Sequence, residues 1–143
     1  MVSILITKQF KYIKIGDKVN FFKTITENDV LLFAAVSGDF YPLHVDKEYA
    51  KKTRFVRRVV HGMLTAGVIS AVNGLLLGKG GEISVSQTLK FKAPVYIGDT
   101  ITATAEVIEK EGDRSTFKFK TICTNQRGEV VIEGEAVEKK EEF

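Results

Sequence analysis

Residues 62–77 read Gly-Met-Leu-Thr-Ala-Gly-Val-Ile-Ser-Ala-Val-Asn-Gly-Leu-Leu-Leu, the most apolar stretch of a 143-residue chain. Leu64, Val68, Ala71 and Leu75 recur at helical spacing, and the small residues Ala66, Gly67, Ser70 and Gly74 fill much of the rest. The stretch therefore reads as one long helix. Being apolar nearly all round, it is expected to be enclosed on most sides. Its small residues would let a sheet approach closely. It is short for a membrane span and carries Thr65, Ser70 and Asn73, so no membrane partner is expected.

Beyond Gly78-Lys-Gly-Gly81 the period changes from helical to two. Ile83, Val85, Leu89 and Phe91 alternate with Ser84, Ser86, Lys90 and Lys92; Ile101, Ala103, Ala105 and Val107 alternate with Thr100, Thr102, Thr104 and Glu106. Phe117, Phe119 and Cys123 alternate with Lys118 and Lys120, and Val130, Ile132 and Ala136 with Val131, Glu133 and Glu135. Four half-buried strands follow from this pattern, with turns at 94–99, 111–113 and 125–128. The closing residues 138–143 read as a solvated tail.

Upstream, residues 18–25 mix β-branched and aromatic residues and predict a first strand. Thr26-Glu-Asn-Asp29 places an N-cap and an acidic capping-box partner ahead of a helix to Val36, with Val30, Phe33 and Ala34 facing inward. Ser37-Gly-Asp39 ends it, and Pro42 disfavours helix at Tyr41, so 40–45 is expected to be an ordered loop. Asp46 caps a short helix over 47–52, and a basic connector, Arg54-Phe-Val-Arg-Arg58, leads back to the long helix. One apolar helix followed by a meander of alternating strands gives an α+β class, an antiparallel sheet curled around a helix. With no internal repeat and no linker, residues 1–143 read as a single domain.

Composition narrows the partners. The chain is 44% hydrophobic and 27% charged, which excludes disorder and low-complexity classes. Twenty-one Lys and Arg against 18 Asp and Glu give +3, too slight and too scattered for nucleic acid. A lone Cys123 makes no intrachain disulfide and, with no apolar signal run at the start, a reducing cytoplasmic setting is expected.

The chemistry concentrates in Ser37-Gly-Asp-Phe-Tyr-Pro-Leu-His44. Asp39 and His44 are proton carriers suited to neutral pH, five residues apart on a loop stiffened by Gly38 and Pro42. From spacing alone, a helix-ending Asp and a core His is the default reading. Cys123 lies on an apolar strand face and reads as core. Thr65 and Ser70 sit on the long helix, where a hydroxyl commonly bonds back to the backbone. Arg54, Arg57, Arg58, Lys79, Lys90 and Lys92 are basic groups of the kind that meet phosphates, with scattered surface charge as the default reading.

Residues 33–50, Phe-Ala-Ala-Val-Ser-Gly-Asp-Phe-Tyr-Pro-Leu-His-Val-Asp-Lys-Glu-Tyr-Ala, resemble the signature of the MaoC-like (R)-specific enoyl-CoA hydratases and 3-hydroxyacyl-CoA dehydratases, G-D-x-N-P-[LIV]-H. Two more segments fit in order: His61-Gly-Met-Leu-Thr-Ala-Gly67 at the start of the central helix, and residues 89–100, Leu-Lys-Phe-Lys-Ala-Pro-Val-Tyr-Ile-Gly-Asp-Thr, as a strand-turn-strand. The resemblance implies the hot-dog fold, a long helix wrapped by a curved antiparallel sheet, with homodimers formed by sheet extension. It implies an acyl-CoA thioester substrate and no cofactor or metal, since coenzyme A enters as part of the substrate. It makes Asp39 and His44 the catalytic pair, and Gly62 the backbone donor to the thioester oxygen. His61, the remaining candidate metal ligand with Asp39 and His44, then reads as a helix-entry residue bonding backbone.

Two positions depart from the family pattern. Tyr41 stands where Asn is usual, exchanging an amide for one hydroxyl, so weaker support of His44 is expected. Arg58 stands where Pro is common, so a looser connector is expected. The neighbouring readings are an acyl-carrier-protein dehydratase, a hot-dog thioesterase and, in another class, a non-catalytic acyl-thioester binding subunit.

Overall fold

A computed structural model describes residues 13–77, 82–112 and 115–141. Strand β1 (Lys18–Thr24) leads to helix α1 (Glu27–Ser37), two short helices α2 (Pro42–Val45) and α3 (Lys47–Lys51), and the long helix α4 (Gly62–Leu77). Strands β2 (Glu82–Gln87), β3 (Lys90–Phe91), β4 (Thr100–Glu111), β5 (Thr116–Thr124) and β6 (Val130–Lys140) complete the order. The six strands form one antiparallel sheet, β1-β4-β5-β6-β2, with β3 also on β6. Register shifts at Val107/Glu109 and Cys123/Thr124 bend the long strands, as extra residues in a ladder do. The sheet curls around α4, the hot-dog arrangement expected.

The core is the seam between that helix and the sheet. Val68, Ile69, Val72 and Leu76 of α4 meet Ile101, Ala103, Ala105, Phe117 and Phe119, all buried. Alanines at 103 and 105 leave room for the helix, which packs chiefly across β4 and β1. Cys123 is fully buried in this seam, and burial pushes its thiol up to about 12, so it is a core residue and not a thiolate.

Several expectations shift. Helix α4 turns Thr65, Ile69, Val72 and Asn73 inward, while Ala71 faces out, so the apolar face lies beside the one the spacing suggested. A helix apolar on every side carries no pattern to choose a face. Nor is it enclosed, because Met63, Gly67, Ser70 and Ala71 lie open on the side away from the sheet. Residues 42–45 form one helical turn instead of a loop, because Pro42 begins it at the position where its missing N–H costs nothing. Ile83, Val85 and Phe91 are exposed rather than half-buried, since β2 and β3 sit at the sheet edge. The turn at 78–81 with Lys79, Asp113, and the first twelve residues lie outside the described residues.

Residues 138–140, read as part of a tail, are strand, and residues 142–143 lie outside the described residues. Strand β6 runs to Lys140 and buries Glu138 at 1% exposure, its carboxylate accepting Asn73 Nδ2 at 3.1 Å and Ser84 Oγ at 2.8 Å. Burial raises this carboxyl above its ordinary value, and burial with the Glu138 charge raises neighbouring Glu82. The folded chain thus holds the Glu138 proton to higher pH than the unfolded chain. Its contribution is present below the ordinary carboxylate range and is lost as pH rises through the raised value. Asn73 Oδ1 beside it is buried without a partner. Glu138→Gln keeps an acceptor for Ser84 and, with the Asn73 amide turned over, gives that oxygen a donor. We expect stabilisation of about 1 kcal/mol at pH 8, roughly 3–4 °C in midpoint, vanishing by pH 4. Thermal melts at both pH values check it, and an equal gain at the two would refute the proton argument.

Candidate active site

Caps set the geometry of the 38–46 segment. Thr26 Oγ1 accepts the Asp29 amide and Asp29 Oδ2 accepts the Thr26 amide, so α1 starts in a closed capping box. Gly38, at φ 79°, ends the helix in the left-handed region and sends its N–H to Ala34 O. The chain turns sharply there, and Asp39 Oδ1 accepts the Tyr41 amide at 3.2 Å. That turn delivers Pro42 to the start of α2, which carries His44. Asp46 then caps α3 by accepting from Glu48 and Tyr49.

His44 is anchored by backbone. Its Nδ1 lies 2.6 Å from Val59 O, and because a carbonyl only accepts, Nδ1 carries the proton and Nε2 keeps a free lone pair. Val59 N returns a bond to Leu43 O, tying α2 to the connector. Buried His61 follows the same logic: its Nε2 donates to Asp39 O at 2.9 Å, fixing the loop that carries Asp39. The rings of His44 and His61 stack at 4.0 Å, and Phe33 packs on His61 at 4.8 Å. His61 is thus a helix-entry residue bonding backbone, and it also forms the floor under His44.

One carboxylate oxygen of Asp39 and one ring nitrogen each of His44 and His61 lie within 4.8 Å of one another. Imidazole lone pairs lie in the ring plane, and the two rings stack only 27° from parallel. In-plane lone pairs on stacked rings do not converge on one ion at bonds of about 2.0–2.1 Å. A water bridging Asp39 and His44 suits the spacing, since two contacts of about 2.8 Å span it.

Beside the pair opens a cavity of about 490 Å³ lined by His44, Gly62, Thr65, Phe91, Val95 and Ile132 among others. Asp39 stands exposed next to it and is not part of its wall. Gly62 is the first residue of α4, so its N–H has no acceptor within the helix and sits at the positive end of the helix dipole. A side chain here would place Cβ 2.7 Å from the Phe91 ring, so any larger residue would have to push that ring aside. All three expected residues are therefore brought together.

The two departures are absorbed. Support for His44 comes from the Val59 carbonyl, which no side chain at 41 supplies, while the Tyr41 hydroxyl reaches Tyr49 at 3.3 Å. Arg58, 8% exposed, pairs with Glu27 of α1 and holds that carboxyl below its usual range, so the connector is tied down rather than loose. Arg54 and Lys92 reach the cavity wall, whereas Arg57 stacks on Tyr96 at 3.8 Å. Phe91 as the residue over Gly62 had no signal in the sequence, because it arrives from a strand nearly thirty residues away.

Comparison with known proteins identifies the family. Residues 11–128 match the MaoC like domain. An (R)-specific enoyl-CoA hydratase of Rhodospirillum rubrum is 51% identical over 132 residues, 92% of this chain and 91% of that protein. A 3-hydroxybutyryl-CoA dehydratase of Methylorubrum extorquens is 43% identical over 123 residues, covering 84% of this chain and 78% of that one. The unliganded structure of the R-hydratase PhaJ1 from Pseudomonas aeruginosa superposes with a TM-score of 0.87 at 39% identity, covering 94% of this chain and 86% of that chain. With the loop, the helix-start glycine and the wrapped helix all in the family's order, the chain belongs to the MaoC-like family of hot-dog proteins.

Proposed function

We propose that this chain is a hydro-lyase that adds water to a trans-2-enoyl-CoA to give the (3R)-hydroxyacyl-CoA, and dehydrates that product in the reverse direction. The observation that supports the reading is that Asp39 and His44 stand within reach of one water, while His44 and Gly62 line the cavity beside them. Asp39 and the free lone pair of His44 Nε2 hold one water. Its oxygen bonds to C3 as the C2–C3 π pair moves toward the thioester oxygen. The proton lost from the water passes to the Asp39–His44 pair, which delivers a proton to C2 on the same face as the electron pair returns from the thioester oxygen to form the C2–H bond, leaving the pair as it began. Charge developing on the thioester oxygen meets the Gly62 N–H, a donor fixed before the reaction begins.

The reading needs no cofactor, because coenzyme A arrives with the acyl group. Its working unit is a homodimer made by extending the sheet at β2 and β3, an edge where Ile83 is 41%, Val85 60% and Phe91 52% exposed. Among the described residues no helix is long and apolar enough to cross a membrane. The buried unpaired thiol of Cys123 suits the cytoplasm.

Purified protein incubated with crotonyl-CoA is expected to lower the conjugated enoyl absorbance to an equilibrium level and to yield the (R)-3-hydroxy product on chiral chromatography. A thiol reagent present in parallel should detect no free coenzyme A. Thiol release instead would make the protein a thioesterase, and tight acyl-CoA binding without turnover would make it a binding subunit.

A further inference from the structure

Thr65 is 1% exposed, and its hydroxyl is buried with no hydrogen-bond partner. A helical threonine ordinarily donates to the carbonyl one turn back. Here that carbonyl, His61 O, is already taken by the amides of Leu64 at 3.1 Å and Thr65 at 3.2 Å. An orphaned buried hydroxyl is costly and calls for a reason. Thr65 lines the same cavity as His44 and Gly62. Helical side chains tilt toward the N-terminus, so the hydroxyl of Thr65 leans over the first turn of α4, whose start is the Gly62 amide about 4.5 Å back along the axis.

We propose that the Thr65 hydroxyl is a second donor to the thioester oxygen, a catalytic residue acting beside the Gly62 N–H. The inference rests on the hydratase reading and deepens it. The substrate's oxygen gains charge as water adds, so a donor without a partner in the free protein gains most of its bond in the transition state. The competing role is structural: His61 Nδ1, a buried acceptor also without a partner, lies one helical turn before Thr65, and a Thr65-to-His61 bond would satisfy both.

Thr65→Val and Thr65→Ser separate the two on crotonyl-CoA. Val keeps the shape and removes the donor, and is expected to lower kcat about 100-fold with KM within about 3-fold. Ser keeps the donor and should restore most of the turnover. The thermal midpoint of the Val variant should equal or exceed that of the unmodified protein, because a methyl replaces an unmatched hydroxyl. A Val variant with unchanged kcat overturns the proposal, as does a Ser variant no better than Val. A Val variant whose midpoint falls, with Ser restoring it, assigns the hydroxyl to His61 and also overturns it. If the unmodified protein turns crotonyl-CoA over, these failures touch the donor role alone; an inactive unmodified protein removes the hydratase reading and the donor role with it.

Discussion

Asp39→Asn and His44→Gln are each expected to lower kcat for crotonyl-CoA hydration by about 10³-fold, within the range for a lost general acid or base. Asn at 39 keeps an oxygen for the Tyr41 amide and leaves Asp39 O free to accept from His61, so the loop is retained. What it loses is the carboxylate, whose acceptor on the bridging water becomes a weak base. Gln at 44 removes the Nε2 lone pair while keeping an amide N–H for the Val59 carbonyl. Neither residue is buried, so the thermal midpoints should stay within about 2 °C of the unmodified protein, as surface changes do. Because the two act on one water, the double variant should fall little further than the worse single one. Steady-state kinetics on the three proteins check this. Either single variant keeping more than a tenth of the activity would remove that residue from proton transfer.

The site was legible in the sequence where it depends on local order. Gly38, Asp39, Pro42 and His44 lie in seven residues, and the turn residues among them fix backbone conformations that a reader can assign one by one. Helix α4 declared its bounds in the same way, by a run of apolar and small residues ending at Gly78. What stayed hidden depends on contacts between distant segments. The orientation of α4 about its own axis is set by the sheet, and an all-apolar helix gives no face to read. Glu138 sits among charged neighbours and looks solvated, yet the alternation along β6 turns it inward onto Asn73 and Ser84. The anchor of His44 is a backbone carbonyl, which no residue type announces. Exposure of Ile83 and Val85 departs from their alternation for a related reason: the alternation marks a strand but not its place in the sheet, and β2 lies at the edge.

Gly134→Ala is the change expected to cost most in stability, although Ala is the smallest substitution available. Residue 134 lies in β6 opposite Thr121, where the link between β2 and β3 crosses it at Thr88. An added Cβ would stand 1.9 Å from the Thr88 carbonyl oxygen, and that atom is backbone, with no rotamer to yield. Thr88 is held there from several directions: its N–H donates to Glu135 O at 2.8 Å, its hydroxyl accepts the Glu135 amide at 2.9 Å, and its carbonyl accepts Gln87 Nε2 at 2.8 Å. Relief requires the crossing strand to lift by more than an ångström, breaking those bonds. The expected loss is about 3 kcal/mol, at the upper end of overpacking, or roughly 10 °C in midpoint. The damage also reaches the site, because Phe91, three residues beyond Thr88, rests on Gly62 and lines the cavity with Ile132 of β6. Activity below the melting range should therefore fall through a raised KM, with the Asp39–His44 pair and its kcat less affected. A melt within about 2 °C of the unmodified protein would show that the crossing strand shifts freely and that Thr88 does not fix it to β6.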